Sequence, residues 1–318
     1  TPMIYVGSND GMLHGFRATD GVELLGFVPS PVYPRLSGVT AQGFQHKYLV
    51  DGSPVAADIK LSGGWRTLLV GGLAGGGRGL FALDVTDPDA FDESAPGNTI
   101  LWEFTASDDS ELGLTFAQPT IIRMNNGSPA VVVGNGYNNT GTGRAVLFII
   151  NAETGALIRK IDTGVGTVGD PNGLSTPAVV DMDGNGTADY AYAGDIKGNV
   201  WKFDLTVSPL KVTRLARALD ANGAPQPITT RPELGLVDEL GGLNTALAEA
   251  KKLVKIEDRV EVDFRQYPRP KTPLESLRDR FLGGESGENS ERGTDVALGQ
   301  NQVAAALHYP LAKLAPDK

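Results

Sequence analysis

One unit recurs along the first two-thirds of the chain: a hydrophobic strand ending in Gly, a polar turn, a second strand carrying aromatics, then an acidic turn. It first appears as Ile4-Tyr5-Val6-Gly7, the turn Ser8-Asn9-Asp10-Gly11, the strand Met12-Leu13-His14-Gly15-Phe16, and Thr19-Asp20-Gly21. It returns as Leu68-Leu69-Val70-Gly71-Gly72 with Gly79-Leu80-Phe81-Ala82-Leu83-Asp84, and as Val131-Val132-Val133-Gly134 with Ala145-Val146-Leu147-Phe148-Ile149-Ile150-Asn151. The last copy is Tyr190-Ala191-Tyr192-Ala193-Gly194 with Asn199-Val200-Trp201-Lys202-Phe203-Asp204. The Asp-Gly and Asn-Gly turns supply the positive φ angles that tight hairpins need. Copies are about sixty residues apart, longer than a minimal propeller blade but within reach of blades with inserted loops.

Between copies lie further strand candidates, Thr99-Ile100-Leu101-Trp102-Glu103-Phe104 and Pro119-Thr120-Ile121-Ile122-Arg123. Four short antiparallel strands per unit, repeated about an axis, make a β-propeller with each hairpin in the middle of a blade. The expected fold is therefore all-β: a partial propeller of four blade-like repeats over residues 1–232. The 41 glycines and 20 prolines agree with a body of many tight turns. A formal net charge of −10 argues against nucleic acid and anionic membrane surfaces while favouring divalent cations. The absence of cysteine excludes disulfides, thiolate metal sites and a cysteine nucleophile. No segment has the apolar length of a membrane span and no signal peptide is visible. The opening Thr1-Pro2, running straight into a strand, suggests a piece of something longer.

The best candidate site is Asp181-Met182-Asp183-Gly184-Asn185-Gly186-Thr187-Ala188-Asp189. Side-chain oxygens recur at loop positions 1, 3, 5 and 9, with the Thr187 backbone carbonyl at position 7 and Gly186 at the sharp turn of position 6. This is the ligand order of a calcium loop: a hard cation needs several oxygens about one point, and a tightly turned chain aims alternate residues inward. The alternative is an acidic, glycine-rich surface turn. Position 12 holds Tyr192 instead of the bidentate Glu of an EF-hand. The flanks, Pro177-Ala178-Val179-Val180 and Tyr190 to Gly194, read as strands rather than paired helices, so the loop joins two strands. Without a metal the three carboxylates repel and the loop loosens. Lacking the position-12 Glu, the site is expected to bind with a dissociation constant of about 10⁻⁶–10⁻³ M.

Other residues read as structural. His14 stands beside Phe16 on a hairpin strand, and Trp102 and Trp201 fall where neighbouring blades need a large flat ring. Asp51 and Asp58 are expected to cap turns. The run from Gly71 to Gly79 lacks the Gly-Lys-Ser/Thr ending of a phosphate loop.

Taken in order, several segments resemble the C-terminal β-propeller of the PilY/PilC family, the large adhesins of type IV pilus tips. They are Tyr5 to Phe16, Val50-Asp51-Gly52-Ser53-Pro54-Val55, Gly79 to Pro88, Ala117-Gln118-Pro119, Val133-Gly134-Asn135-Gly136-Tyr137-Asn138, Asp181 to Asp189, Gly198 to Leu205, and Gln226 to Pro232. The resemblance implies a quinoprotein-dehydrogenase-like propeller, not an enzyme, with Ca²⁺ as cofactor. It makes Asp181, Asp183, Asn185 and Asp189 side-chain ligands and Thr187 a backbone ligand. It further implies that calcium occupancy favours pilus extension and calcium release favours retraction. The implied partners are minor pilins at the pilus tip and host or abiotic surfaces, and the implied location is the cell surface or fimbrium. A propeller enzyme of the quinoprotein type is the competing reading. Against it, four blades are too few to enclose that cofactor.

After Arg231 the composition turns to Ala, Leu, Lys and Glu, with an apolar stripe of Leu243, Ala246, Leu247, Ala250, Leu253 and Val254 at helical spacing. Gly235-Leu236-Val237-Asp238-Glu239-Leu240-Gly241-Gly242 and Tyr267-Pro268-Arg269-Pro270-Lys271 resemble the C-terminal end of signal peptide peptidase A-type serine–lysine proteases. That segment lies downstream of the family's catalytic Ser and Lys, so an inactive protease-like fragment is implied. The second domain expected at 233–318 is thus a short α/β or partly disordered tail, and the chain joins pieces of two unrelated proteins. A divergent tail of the pilus family is the alternative.

Overall fold

A strand covered on one face alternates apolar with polar residues, while a strand covered on both reads as an unbroken apolar run. Ala145 to Ile150 is such a run, and in this computed structural model, which describes residues 1–232, it lies between two sheets. The described strands form four antiparallel sheets, each a meander in chain order. The first has three strands, β1 (Met3–Gly7), β2 (Leu13–Arg17) and β3 (Glu23–Phe27). The second has four, β4 (Val55–Leu61), β5 (Gly64–Gly72), β6 (Gly79–Asp84) and β7 (Ile100–Thr105). The third runs β8 (Thr120–Arg123), β9 (Pro129–Gly134), β10 (Arg144–Asn151) and β11 (Leu157–Gly166). The fourth runs β12 (Ala178–Val180), β13 (Tyr190–Gly194), β14 (Asn199–Asp204) and β15 (Lys211–Arg217). Helix among the described residues is confined to short 3-10 turns such as Ser30–Gly38. None is long and apolar enough to cross a membrane.

The repeated hairpins are β1–β2, β5–β6, β9–β10 and β13–β14. In the last three sheets each occupies the middle of four strands, as expected. In the first sheet the expectation fails, because β1 is an edge strand.

Three apolar interfaces join consecutive sheets. Leu13 and Phe27 meet Leu69, Phe81 and Leu83 across the first. Leu68, Val70, Leu80, Ala82, Trp102 and Phe104 meet Val131, Val133, Val146, Phe148 and Ile150 across the second. Across the third, Ala130, Val132, Leu147 and Ile149 meet Ala191, Ala193, Trp201 and Phe203. Alternate residues of β10 thus serve different interfaces, which is why the whole run must be apolar. Burying each Leu, Ile or Phe here contributes about 1.5–3 kcal/mol, offset by chain ordering.

The glycine that ends β1, β5, β9 and β13 has a physical cause. The chain entering the next sheet crosses directly over it: a Cβ at Gly7 would lie 2.5 Å from the Val50 carbonyl oxygen, and one at Gly72 2.8 Å from that of Thr115. Leu174 and Ser175 cross Gly134 in the same way, and Ile228 crosses Gly194. The expectations for 233–318, including the protease-like segment, lie outside the described residues.

Candidate metal centre

The nine-residue segment is the connection between β12 and β13, which pair antiparallel from Ala178↔Tyr192 to Val180↔Tyr190. Gly184 and Gly186 adopt φ of 73° and 82°, the left-handed conformation that turns the chain back on itself. That turn points three backbone N–H groups at one carboxylate. Asp181 Oδ2 accepts from Gly186 at 2.7 Å, and Oδ1 accepts from Gly184 at 2.8 Å and Asn185 at 3.2 Å. These donors, Gly186 foremost, hold the Asp181 carboxyl below its ordinary pKa.

Carboxylate oxygens of Asp181, Asp183 and Asp189 lie within 4.8 Å of one another. Oxygens bound to one calcium at about 2.3–2.6 Å are at most roughly 5 Å apart, so this donor set fits the ion. Asn185 sits among them: its amide donates to Asp183 Oδ2 at 2.9 Å, and its Oδ1 accepts the Thr187 N–H at 2.8 Å. The Thr187 hydroxyl is directed to Asn185 and to Asn125, and its carbonyl oxygen accepts no hydrogen bond among the described residues. Asp181 and Asp183 are exposed, whereas Asp189 is only 7% exposed. Asp189 Oδ2 accepts the Met182 N–H at 2.8 Å, and no cationic side chain among the described residues pairs with it. A buried carboxylate facing two others without a counter-charge is costly in the apo state.

The remaining singled-out residues are structural. The Trp102 indole donates to the Ala152 carbonyl at 2.9 Å and packs the second sheet on the third. Trp201 packs the third interface and donates to Asp195. His14 stacks on Phe16 at 5.8 Å between ring centroids, and its two nitrogens meet Glu23 at 2.7 Å and Asp10 at 2.9 Å. Asp51 accepts from the Gly75 N–H at the bend after β5. Asp58 departs from expectation: it lies within β4 and accepts the Thr67 hydroxyl across the strand pair at 2.7 Å. Gly71 to Gly79 ends β5, makes a 3-10 turn at Ala74–Gly76 and enters β6. Beside it a cleft of about 340 Å³ has Asp51 as its one ionisable lining residue.

Two features escaped the reading of motifs. Asp195 is fully buried at the centre of a polar cluster with Asn172, Asn199 and Trp201. Asn125, in the turn between β8 and β9, touches the acidic loop from the third sheet. Both are single polar residues in turns. The partners of Asn125 come from another sheet, whereas Asp195 draws on Lys197, Asn199 and Trp201 of its own hairpin together with Asn172 from a preceding loop.

With this geometry in place, the similarity to known proteins is decisive. Residues 1–230 match the family model described as the PilY1 beta-propeller domain. The chain belongs to that family. It is 45% identical over 259 residues to the type IV pilus biogenesis factor PilY1 of Pseudomonas aeruginosa, a match covering 73% of this chain and 21% of that protein. A PilY1 homolog from Xylella fastidiosa is 47% identical over 211 residues, covering 64% of this chain and 14% of the homolog. Among solved structures, the crystal structure of the Pseudomonas aeruginosa PilY1 C-terminal domain superposes with a TM-score of 0.63 at 43% identity. That match covers 74% of this chain and 49% of that one. The chain thus spans a small fraction of its curated relatives, and its four sheets are part of a PilY1-type propeller.

Proposed function

We propose that this chain is the calcium-binding propeller module of a type IV pilus-associated protein, and that its calcium state biases pilus extension against retraction. The observation that carries the calcium part is the convergence of three carboxylates within 4.8 Å, one of them buried, in a PilY1-family propeller. Asp181, Asp183, Asn185 and Asp189 would hold the ion by side-chain oxygens and Thr187 by its carbonyl. Bound there, calcium supplies positive charge that neutralises the three carboxylates. The chain itself supplies preorganisation: Gly184 and Gly186 fix the turn, and the N–H groups of Gly184, Asn185 and Gly186 orient Asp181.

A ligand shifts a conformational equilibrium only by its differential affinity for the two states. The ordered loop offers all its oxygens together and a loosened one does not, so calcium favours the ordered form. The names of the relatives support a role in pilus biogenesis. Minor pilins at the pilus tip and the surfaces to which pili attach are the partners this reading implies, and no catalytic role is assigned. Titration calorimetry with calcium tests it: the purified chain gives a saturable one-site isotherm, and Asp181→Ala removes it. A wild-type chain with no heat of binding overturns the reading.

A further inference from the structure

The Asp181–Asp189 loop belongs to the fourth sheet, but it does not stand free. Its C-terminal end leans on the turn between β8 and β9 of the third sheet. The Ala188 N–H donates to the Arg123 carbonyl at 2.8 Å, and Met124 and Ala188 form a parallel bridge. Both of those residues are buried in the apolar interface between the two sheets. The turn is itself tight: Gly127 N–H donates to Met124 O at 2.8 Å, Met124 N–H to Ser128 O at 2.9 Å, and Ser128 N–H to Asn126 Oδ1 at 3.0 Å.

Asn125 projects from this turn into the loop and is the one side chain from outside that engages it by polar contacts, among the described residues. Its amide nitrogen donates to the Ala188 carbonyl at 3.2 Å and to Asp189 Oδ1 at 3.4 Å. Its amide oxygen accepts the Thr187 hydroxyl at 2.5 Å. It therefore holds two consecutive positions of the ligand order, 7 and 9, from a different sheet. Asp189 is anchored from its own sheet as well, by its N–H to Val180 O and its carbonyl to Leu205 N–H, each at 2.8 Å.

Resting on the calcium reading above, we propose that Asn125 is a positioning residue of the calcium site that couples ion occupancy to the packing of the third sheet on the fourth. The geometry makes the coupling two-way. An occupied loop fixes Thr187 and Asp189, and through them the β8–β9 turn. A fixed turn presents Asp189 and Thr187 in the arrangement the ion needs. The regulated element is then an interface between blades rather than a surface hairpin alone.

Hydrogen exchange of the full chain, with calcium and with chelator, tests this alongside calorimetry. In the wild type, calcium slows exchange both in 178–190 and in 120–134. In Asn125→Ala, calcium still binds, roughly three- to tenfold more weakly for the loss of one or two hydrogen bonds. Its protection then shrinks to 178–190. Thr187→Val keeps the backbone carbonyl but removes the hydroxyl contacts to Asn125 and to Asn185. It reports on the exposed loop side if Asn125→Ala does not fold, and it too narrows the protected region. Calcium protection of 120–134 that survives in both variants, or that is absent in the wild type, overturns the coupling. A wild type that binds no calcium overturns the calcium reading itself, a separate result from the same calorimetry.

Discussion

The two ends of β13 carry aspartates that solve opposite problems. Asp195, just after the strand, is fully buried, yet the protein itself supplies its donors. Its Oδ1 accepts the N–H groups of Lys197 at 2.9 Å and Asn199 at 2.8 Å, and its Oδ2 accepts Asn172, Asn199 and Trp201 side chains at 2.8 Å each. Asp189, just before the strand, has a backbone N–H, a long contact to Asn125, and two other carboxylates within 4.8 Å. A carboxylate saturated by neutral donors is finished as a structural element. Three that face one another lack that compensation, and the proposed calcium ion would supply it. The same residue type thus reads as scaffold at one end of a strand and as site at the other, and what separates them is who supplies the compensation.

The largest effect that tests this contrast is Asp195→Ala. Removal of the acceptor strands the Trp201 indole, Asn172 and Asn199 donors inside the protein, at a cost on the order of 3–5 kcal/mol. Urea unfolding in chelator is expected to show an unfolding free energy lower by that amount, whereas the calcium affinity of the folded fraction stays near wild type. A cost under about 1 kcal/mol would mean that water replaces the carboxylate and that Asp195 is not the scaffold described.

Asp181→Ala should behave in the reverse way. In chelator its stability stays close to wild type, because the loop is exposed and loses repulsion along with its hydrogen bonds. The wild type gains about 2.7 kcal/mol at a calcium concentration one hundred times the dissociation constant, and the variant gains almost none. Thermal melts with and without calcium read this directly. An equal calcium-induced shift in both proteins would move the ion elsewhere.

Much of this is legible in the amino-acid sequence. The Gly that ends the first strand of each repeated hairpin is legible, and its cause is structural: the incoming chain of the next sheet leaves no room for a Cβ at Gly7 or Gly72. The run Ala145 to Ile150 is legible as the second strand of a repeat, and the structure adds that it is covered on both faces. The spacing of Asp181, Asp183, Asn185 and Asp189 located the loop, since alternate residues of a tight turn converge by local geometry alone. Asn125 is not legible, because its partners lie in the loop of another sheet. Asp195 has Lys197, Asn199 and Trp201 within its own hairpin, but its burial and its contact with Asn172 come from tertiary packing. Asp58 was misplaced for a related reason: an aspartate after Pro-Val-Ala-Ala fits a turn, and only the pairing with Thr67 across β4 and β5 explains it in a strand.

A subtler test separates the loop's backbone from its charge. A Cβ at Gly186 would meet no atom within 4 Å, so Gly186→Ala has no steric clash to relieve. Its only cost is holding an L-residue at φ near 82°, about 1–2 kcal/mol. On the calcium reading the bound form needs this turn, so the cost falls on calcium binding wherever the exposed metal-free loop has another conformation to adopt. Calorimetry should show affinity lower by roughly five- to thirtyfold with unchanged stoichiometry, and chelated stability close to wild type. A large loss of chelated stability would instead mean that the turn is held rigidly without the ion.

The smallest effect concerns a third way of compensating carboxylates, in which the protein provides its own titratable cation. His14 bridges Glu23 at 2.7 Å and Asp10 at 2.9 Å on the first sheet, and the hydrogen bond to Glu23, with Asp10 on the other side, raises its pKa above the ordinary 6.5. Because the folded value lies above the unfolded one, this stabilisation is fully present below about pH 6.5 and is lost as pH rises through the folded value. Both carboxylates are solvent-accessible, which keeps the contribution to that of a surface ion pair, about 1–3 °C in melting temperature. Melts from pH 6 to pH 9 in chelator should therefore show a small decline in the wild type that His14→Gln lacks. Two parallel curves would mean that Asp10 and Glu23 are compensated by water, placing them with neither Asp195 nor the proposed calcium loop.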